Sequence, residues 1–254
     1  MIIRKSAAEL DQMARAGRVV EETIALIGEH CRAGVTTAEL DELAEEFIHG
    51  RGGVPSFKGY RGYPASICAS PNSMIVHGIP GPYALADGDV LSVDIGVTLG
   101  GFVADSAYTF AIGEISAEAQ RLLDTCQAAL AAGIEQCRVG NHLSDIGHAV
   151  QAVTEAEGFG VVRSLVGHGI GRAMHEEPQI PNYGEPGRGP KLASGMVFAI
   201  EPMITAGAPE IVLADDEWSI STADGSLAAH FEHTVAITDG EPRILTRAAA
   251  GLLR

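Results

Sequence analysis

Residues 90–110, VLSVDIGVTLGGFVADSAYTF, decide how this chain is expected to fold. Apolar and β-branched residues fill both halves of this stretch, and the pair Gly100-Gly101 separates them. Two such runs joined by two glycines predict a β-hairpin formed by Val90–Val97 and Phe102–Phe110.

Helices are predicted on both sides of this hairpin. Ser6 and Glu9 have the spacing of a capping box, which places a helix over 6–33. Further predicted elements are the helices Thr37–Ile48, Ala117–Arg138 and Ser144–Glu157, the strands Val161–Val166, Met196–Ile200 and Phe231–Thr238, loops with short strands over 52–82, and a loop over Arg172–Ala193. The order helix, helix, strands thus occurs twice, which predicts one α+β domain over 1–254 with similar halves of about 1–112 and 113–254.

The composition is typical of a globular protein, since 46% of the 254 residues are hydrophobic and 20% are charged. A net charge of −16 argues against a broad phosphate-binding surface. No apolar run is long enough to span a membrane, and the start, MIIRKSAAELDQM, lacks a secretory signal, so we expect a cytoplasmic protein. The four cysteines form no CxxC pair, which argues against a disulfide framework and a structural zinc site.

Four acidic residues lie in or at the end of apolar, strand-forming runs. They are Asp94 in VLSVDIGV, Asp105 in GFVADSAYTF, Glu201 in MVFAIEPMI and Glu232 in HFEHTVAI. Any one of them alone fits an edge-strand position, a paired charge or a raised pKa. Because a buried carboxylate needs a partner and these runs contain no Lys or Arg, the four together favour bound cations. Two divalent ions would balance their charge.

A nitrogen ligand is also available. His168 lies in VGHGIGRAMHEEP, where glycines on both sides permit close approach of other chain segments. A lone histidine is more often a structural residue, but beside four buried acids we predict a metal ligand. An oxygen-rich ligand set with one imidazole suits Mn, Fe or Co, with Zn also possible, and a pair of such ions is common in hydrolases.

The order Asp94, Asp105, His168, Glu201, Glu232 resembles the metal centre of the methionine aminopeptidases and their pita-bread relatives. The strings VDIGV, VGHGIG, HEEPQIPNYG, AIEPMI, FEHTVAIT, GYPASICASPN and VHGIP extend the resemblance over nearly the whole chain. It implies the pita-bread (creatinase/aminopeptidase) fold, in which two pseudo-symmetric helix-helix-strand halves surround a curved antiparallel sheet. The short spacing from His168 to Glu201 and the absence of a long N-terminal domain resemble the bacterial type 1 enzymes.

The resemblance implies two divalent metal ions per chain, of Co, Mn, Fe, Zn or Ni. Asp94 would chelate one ion, Asp105 and Glu232 would bridge both, and His168 with Glu201 would complete the other shell. Glu201 would also carry protons. The implied reaction is removal of the N-terminal methionine from nascent proteins, preferably before a small second residue, by metal-activated attack of water on the first peptide bond.

The resemblance also implies substrate-binding residues. His77 and His175 would contact the substrate and take part in catalysis, although both also fit exposed loop histidines. The methionine side chain would bind among Tyr60, Tyr63, Cys68, Trp218, Phe57 and Met174. The three aromatic residues Tyr60, Tyr63 and Trp218 also fit ordinary core positions, and Cys68 fits an inert buried thiol equally well. Met174 and Phe57 depart from the pattern of many relatives.

The implied partners are the N-termini of nascent polypeptides at the ribosome, bound by a monomer that reads no nucleic acid and contacts no membrane. Two other functions remain open: a proline-directed aminopeptidase of the same fold, and a non-catalytic binding protein of that fold.

Overall fold

A computed structural model of the chain describes residues 1–247, so the last seven residues of the predicted domain 1–254 lie outside it. The helices are α1 (Ala7–His30), α2 (Thr37–Gly50), α3 (Ala117–Glu135) and α4 (Leu143–Ala156), with a short 3-10 turn at Tyr60–Gly62. The strands are β1 (Val54–Pro55), β2 (Cys68–Pro71), β3 (Met74–Val76), β4 (Val90–Leu99), β5 (Phe102–Ala111), β6 (Gly160–Val161), β7 (Gly167–Gly169), β8 (Glu176–Ile180), β9 (Val197–Ile200), β10 (Met203–Thr205), β11 (Ile211–Leu213), β12 (Ile220–Thr222), β13 (Ala228–His230), β14 (His233–Ala236) and β15 (Arg243–Ile244). Within this part of the chain, no helix is both long enough and apolar enough to cross a membrane.

The first helix begins where its capping box predicts. The hydroxyl of Ser6 accepts a hydrogen bond from the N–H of Glu9, and the Glu9 carboxylate accepts one from the Ser6 N–H at 3.0 Å. The helix ends at His30 rather than at residue 33, because Cys31 already has an extended backbone (ψ 92°). Helix α2 starts with an equivalent pair, Thr36 and Glu39.

The predicted hairpin is confirmed as β4 and β5. Their antiparallel register closes at the pair Leu99 and Phe102, which leaves Gly100 and Gly101 as a two-residue turn. Both glycines have positive φ angles, of 60° and 78°, which a type I′ turn requires. Strands β1 and β2 pair with β4 to complete a four-stranded sheet.

A five-stranded antiparallel sheet in the order β15-β14-β9-β7-β8 lies beside this hairpin. Thr234 in β14 joins the two sheets, since its hydroxyl accepts a hydrogen bond from the Asp105 N–H at 3.0 Å and donates one to the Asp105 carbonyl at 2.8 Å. The N–H of Glu232 donates to the carbonyl of Ala107 at 3.0 Å. The remaining strands form two three-stranded sheets, in the orders β13-β10-β6 and β11-β12-β3.

Two large apolar clusters fill the space between helices and sheets. One contains residues between Ala16 and Ile112, and the other contains Val90 together with residues between Ala119 and Ile237. The first cluster thus lies in the chain segment of α1, α2, β4 and β5, and the second packs α3 and α4 against β9, β10, β13 and β14. The division into two similar halves of 1–112 and 113–254 stays a prediction.

One predicted loop and two predicted strands also differ from the structure. The loop over Arg172–Ala193 contains β8, which was missed because Pro178 argues against a strand; β8 is an edge strand, where proline is tolerated. The strand predicted over Phe231–Thr238 is shorter, since β14 covers only His233–Ala236. The one predicted over Val161–Val166 ends at Val161, because the chain then turns towards β7.

Candidate metal centre and substrate cavity

The four predicted carboxylates line a single cavity of about 410 Å³. Asp105 on β5 lies opposite Gly96 on β4, and Asp94 is two residues from Gly96, so both aspartates are on the same face of the sheet. Glu201 directly follows β9, and Glu232 lies between β13 and β14. The middle of the β4–β5 hairpin and the ends of other strands thus bring together acids that are up to 138 residues apart in the sequence (from Asp94 to Glu232).

His168 on β7 faces these carboxylates. Its Nδ1 lies 2.8 Å from the carbonyl of Gly169, and its Nε2 lies 3.4 Å from Oε1 of Glu201. Because a carbonyl oxygen only accepts, Nδ1 carries the proton, and Nε2 presents its lone pair to the acids. One ligand atom each of Asp105, His168 and Glu232 lie within 4.8 Å of one another, a separation that a metal ion can bridge.

The glycines beside His168 have a clear steric role. A Cβ atom at Gly167 would lie 2.5 Å from the carbonyl oxygen of Ala199, and one at Gly169 would lie 2.2 Å from that of Glu177. Any larger residue would separate β7 from its neighbours β9 and β8. The sequence GHG therefore lets the strand that carries His168 pack between two others.

The four acids are held in an unfavourable electrostatic environment. Burial raises the pKa of Asp94 to about 7. Burial, with repulsion from neighbouring acids as a second cause, raises the pKa of Asp105, Glu201 and Glu232 well above the usual range. Within residues 1–247, no Lys or Arg forms an ion pair with any of them.

Several of the oxygen atoms also lack hydrogen-bond partners. Among the described residues, Oδ1 of Asp94, Oδ1 of Asp105 and Oε1 of Glu232 are buried without one. A buried acceptor of this kind is costly unless a cation or donor reaches it. Clustered carboxylate oxygens with one free imidazole nitrogen are the donor set of a divalent metal site, so these residues fit such ions.

Two further predicted histidines lie at the cavity. The Nδ1 atom of His175 lies 2.8 Å from the hydroxyl of Tyr60, and its ring centroid lies 4.2 Å from that of His168. Burial, together with the nearby His168, lowers the pKa of His175 to about 4. His77 contacts the ring of Trp218 at a centroid distance of 6.5 Å, and burial lowers its pKa as well.

The predicted methionine pocket is the apolar part of the same cavity. Its lining includes Phe57, Tyr60, Tyr63, Cys68 and Trp218. Tyr63 packs edge-on against Trp218 at 5.1 Å, and its hydroxyl donates to the carbonyl of Gly78 at 2.9 Å. Cys68 is 4% exposed and pairs with Asp94 across β2 and β4, which puts the thiol beside the carboxylates.

Met174 lies behind this wall rather than in the lining. A Cβ atom at Gly96 would lie 2.5 Å from Cε of Met174 and 2.7 Å from Cε1 of Phe57, so all three residues pack closely. Met174 therefore supports Phe57 from the core, and its contact with substrate stays a prediction.

Sequence reasoning missed several cavity residues. The most informative is His230, which is 2% exposed and whose two ring nitrogens have no hydrogen-bond partner in the described part of the chain. It precedes Glu232 by two residues in AHFEH, so period-two alternation alone places both on one face. The others are Arg61, Val76, Ser164, Leu165, Val166, Gln179 and Met203, for which no local pattern gives a signal.

Comparison with known proteins agrees with this site. The sequence model of metallopeptidase family M24 matches residues 11–239. This chain belongs to that family. A methionine aminopeptidase of Clostridium perfringens is 52% identical over 97% of this chain and 99% of its own length. Methionine aminopeptidase 1 of Bacillus subtilis is 49% identical over 97% of this chain and its own full length.

The fold of this chain also matches solved structures. The crystal structure of methionine aminopeptidase from Rickettsia prowazekii superimposes with a TM-score of 0.96 at 38% identity, covering 97% of this chain and 100% of that one. The prolidase from Pyrococcus horikoshii OT3, at 20% identity and a TM-score of 0.80, shares the fold. The predicted pita-bread fold is therefore confirmed, and the chain is a hydrolase that uses divalent metal.

Proposed function

We propose that this chain removes the N-terminal methionine from newly made polypeptides, preferably when the second residue is small. The observation that carries the proposal is that the carboxylate–histidine cluster and a sulfur- and aromatic-lined pocket occupy the same cavity. The relatives named methionine aminopeptidases, which match over nearly the full length, support the same activity.

Five residues would hold two divalent cations: Asp94, Asp105, His168, Glu201 and Glu232. The unpartnered carboxylate oxygens and the free Nε2 of His168 support this assignment, and the oxygen-rich set suits Mn, Fe or Co, with Zn and Ni as further candidates. When bound, such cations lower the pKa of water and draw electron density from the carbonyl oxygen of the scissile peptide bond.

Glu201 is placed to move protons in the reaction. Its carboxylate lines the cavity beside His168, and burial raises its pKa. In its ionised form this carboxylate accepts a proton from the attacking water and returns it to the amino group that leaves.

His175 is placed to stabilise the negative charge that develops on the carbonyl oxygen. If the hydroxyl of Tyr60 donates to its Nδ1, the ring proton is at Nε2, which then donates to the substrate. The lowered pKa keeps this imidazole neutral at pH 7. His77 would bind the substrate from the side of Trp218.

The methionine side chain would bind among Phe57, Tyr60, Tyr63, Cys68 and Trp218. Aromatic ring edges and a buried thiol suit a thioether, because sulfur makes favourable contacts with rings. We also propose that the chain acts in the cytoplasm, as a monomer, on nascent chains at the ribosome.

Hydrolysis of two tripeptides tests the proposal. The purified protein loaded with Mn, Co or Fe should cleave Met-Ala-Ser and leave Ala-Pro-Ala intact. Cleavage of only Ala-Pro-Ala would indicate a proline-directed aminopeptidase, and cleavage of neither peptide with any metal would indicate a binding protein.

A further inference from the structure

A buried ion pair outside the cavity joins the N-terminal segment to the loop that carries His175. The Nζ atom of Lys5 lies 2.6 Å from Oε2 of Glu176, and the two side chains are only 4% and 8% exposed. In every other ion pair between Lys or Arg and an acid within residues 1–247, both side chains are more exposed than these two. Because burying two charges is unfavourable in itself, such a pair is more informative about positioning than about stability.

The other oxygen of Glu176 organises the loop itself. Oε1 accepts hydrogen bonds from the N–H groups of Arg172 at 2.9 Å and Ala173 at 3.4 Å. The carboxylate thus closes the segment 172–176 into a compact turn. His175 is the residue before Glu176, and the position of its ring depends on where this turn is held.

Lys5 fits a space that two glycines leave open. A Cβ atom at Gly171 would lie 2.5 Å from Cε of Lys5, and one at Gly195 would lie 2.6 Å from the Lys5 carbonyl oxygen. The N–H of Lys5 also donates to the carbonyl of Gly195 at 2.6 Å. Main-chain and side-chain contacts therefore fix the ammonium group from two directions.

We propose that Lys5 is a positioning residue for His175. Lys5 fixes the Glu176 carboxylate, Glu176 fixes the turn, and the turn sets the His175 imidazole between Tyr60 and His168. This inference rests on the proposed peptidase function. A small displacement of a group that stabilises developing charge lowers the rate with little effect on substrate binding.

Variants at Lys5 test the inference, with Arg4 as a matched control. Arg4 lies in the same segment and is exposed, and its Nε donates to the Ser194 carbonyl rather than to Glu176. In the metal-loaded enzyme, Lys5→Met should lower kcat for Met-Ala-Ser roughly tenfold and change KM by less than about twofold. Arg4→Met should leave both constants unchanged. If Lys5→Met does not fold, Glu176→Gln should give the same signature.

Two further measurements separate positioning from a general loss of structure. In a His175→Ala background, Lys5→Met should lower kcat by less than about twofold, because the two residues act through one group. In the NMR spectrum of enzyme with labelled histidines, the His175 Cε1–H signal, identified by its loss in His175→Ala, should shift in Lys5→Met and not in Arg4→Met.

An equal loss of kcat in both backgrounds, or an unshifted His175 signal, would overturn the role of Lys5 while leaving the proposed function intact. Wild-type enzyme that cleaves no methionyl peptide would overturn the function first, and this inference with it.

Discussion

The chemistry of the cavity depends on hydrogen bonds that fix individual side chains. The Gly169 carbonyl sets the proton of His168 on Nδ1, and the Tyr60 hydroxyl contacts Nδ1 of His175. In the proposed mechanism the first contact leaves a nitrogen lone pair for a metal, and the second, with the Tyr60 hydroxyl as donor, leaves an N–H for a substrate oxygen. Under the proposed function, two histidines whose rings are 4.2 Å apart thus have different roles.

Replacing Glu201 should separate proton transfer from folding. Glu201→Gln keeps the size of the side chain and removes a buried, repelling charge, so the fold should persist. Hydrolysis of Met-Ala-Ser should fall roughly 10²- to 10⁴-fold, as expected when a general base is lost. Steady-state kinetics and circular dichroism check this, and near-normal turnover would contradict the role of Glu201 in proton transfer.

Removing only the hydroxyl of Tyr60 should affect the rate through His175. Tyr60→Phe keeps the ring that lies 5.4 Å from His175 and deletes the 2.8 Å hydrogen bond to Nδ1. We expect kcat to fall about tenfold, in line with the loss of one hydrogen bond, with unchanged metal content. Kinetics together with elemental analysis measure both quantities; loss of metal instead would show that the contact serves the metal site.

At the scale of strands and helices, how well the sequence predicted each element depended on its length. The hairpin β4–β5 and helices α1 and α2 follow from long periodic runs, two glycines and two capping boxes. Strands β10, β11 and β12 have three residues each, too few for a period to be recognised, and β8 contains a proline. The acids were found because they interrupt apolar runs, whereas the contact between Met174 and Phe57 exists only after folding.

One glycine in β4 couples the hairpin to the pocket. A methyl group at Gly96 would lie 2.5 Å from Met174 and 2.7 Å from Phe57, so Gly96→Ala must displace side chains of the pocket wall. The KM for methionyl peptides should rise several-fold, as overpacking distorts the binding surface. Metal content should not change, because the ligands remain. A tripeptide panel with metal analysis tests this, and an unchanged KM would show that Phe57 is not part of the pocket.

At the scale of the whole molecule, the charge of −16 includes four acids that are not on the open surface. The fold brings them together from distant parts of the chain, so the sheets and the cavity depend on one another. Bound cations should therefore stabilise the entire protein, since they bind the folded state and relieve repulsion between the acids.

Removing the metal should make stability depend on pH in a defined way. The folded-state pKa of Asp94 is about 7, and those of Asp105, Glu201 and Glu232 are raised well above their unfolded values. A raised pKa favours folding at low pH and loses this contribution as the pH rises through the folded value. The pKa of His175, lowered to about 4, has the opposite effect on stability. This effect is confined to pH values below about 6.5, the pKa of histidine in the unfolded chain.

Metal-free protein should therefore lose stability as the pH rises to and through about 7, the folded-state pKa of Asp94, and Mn should abolish most of this loss. Thermal unfolding at several pH values with and without Mn measures the effect. A melting temperature of the metal-free protein that does not change across these pH values would mean that the carboxylates are not buried together.

The most direct test of the account is the hydrolysis of Met-Ala-Ser as metal-stripped protein is titrated with Mn or Co, with binding followed by calorimetry. We predict no cleavage without metal, activity that rises as two ions bind per chain, and neither binding at full stoichiometry nor cleavage in Asp105→Asn. Cleavage by the metal-free protein, or full activity of Asp105→Asn, would contradict the proposed metal centre. That centre consists of Asp94, Asp105, His168, Glu201 and Glu232.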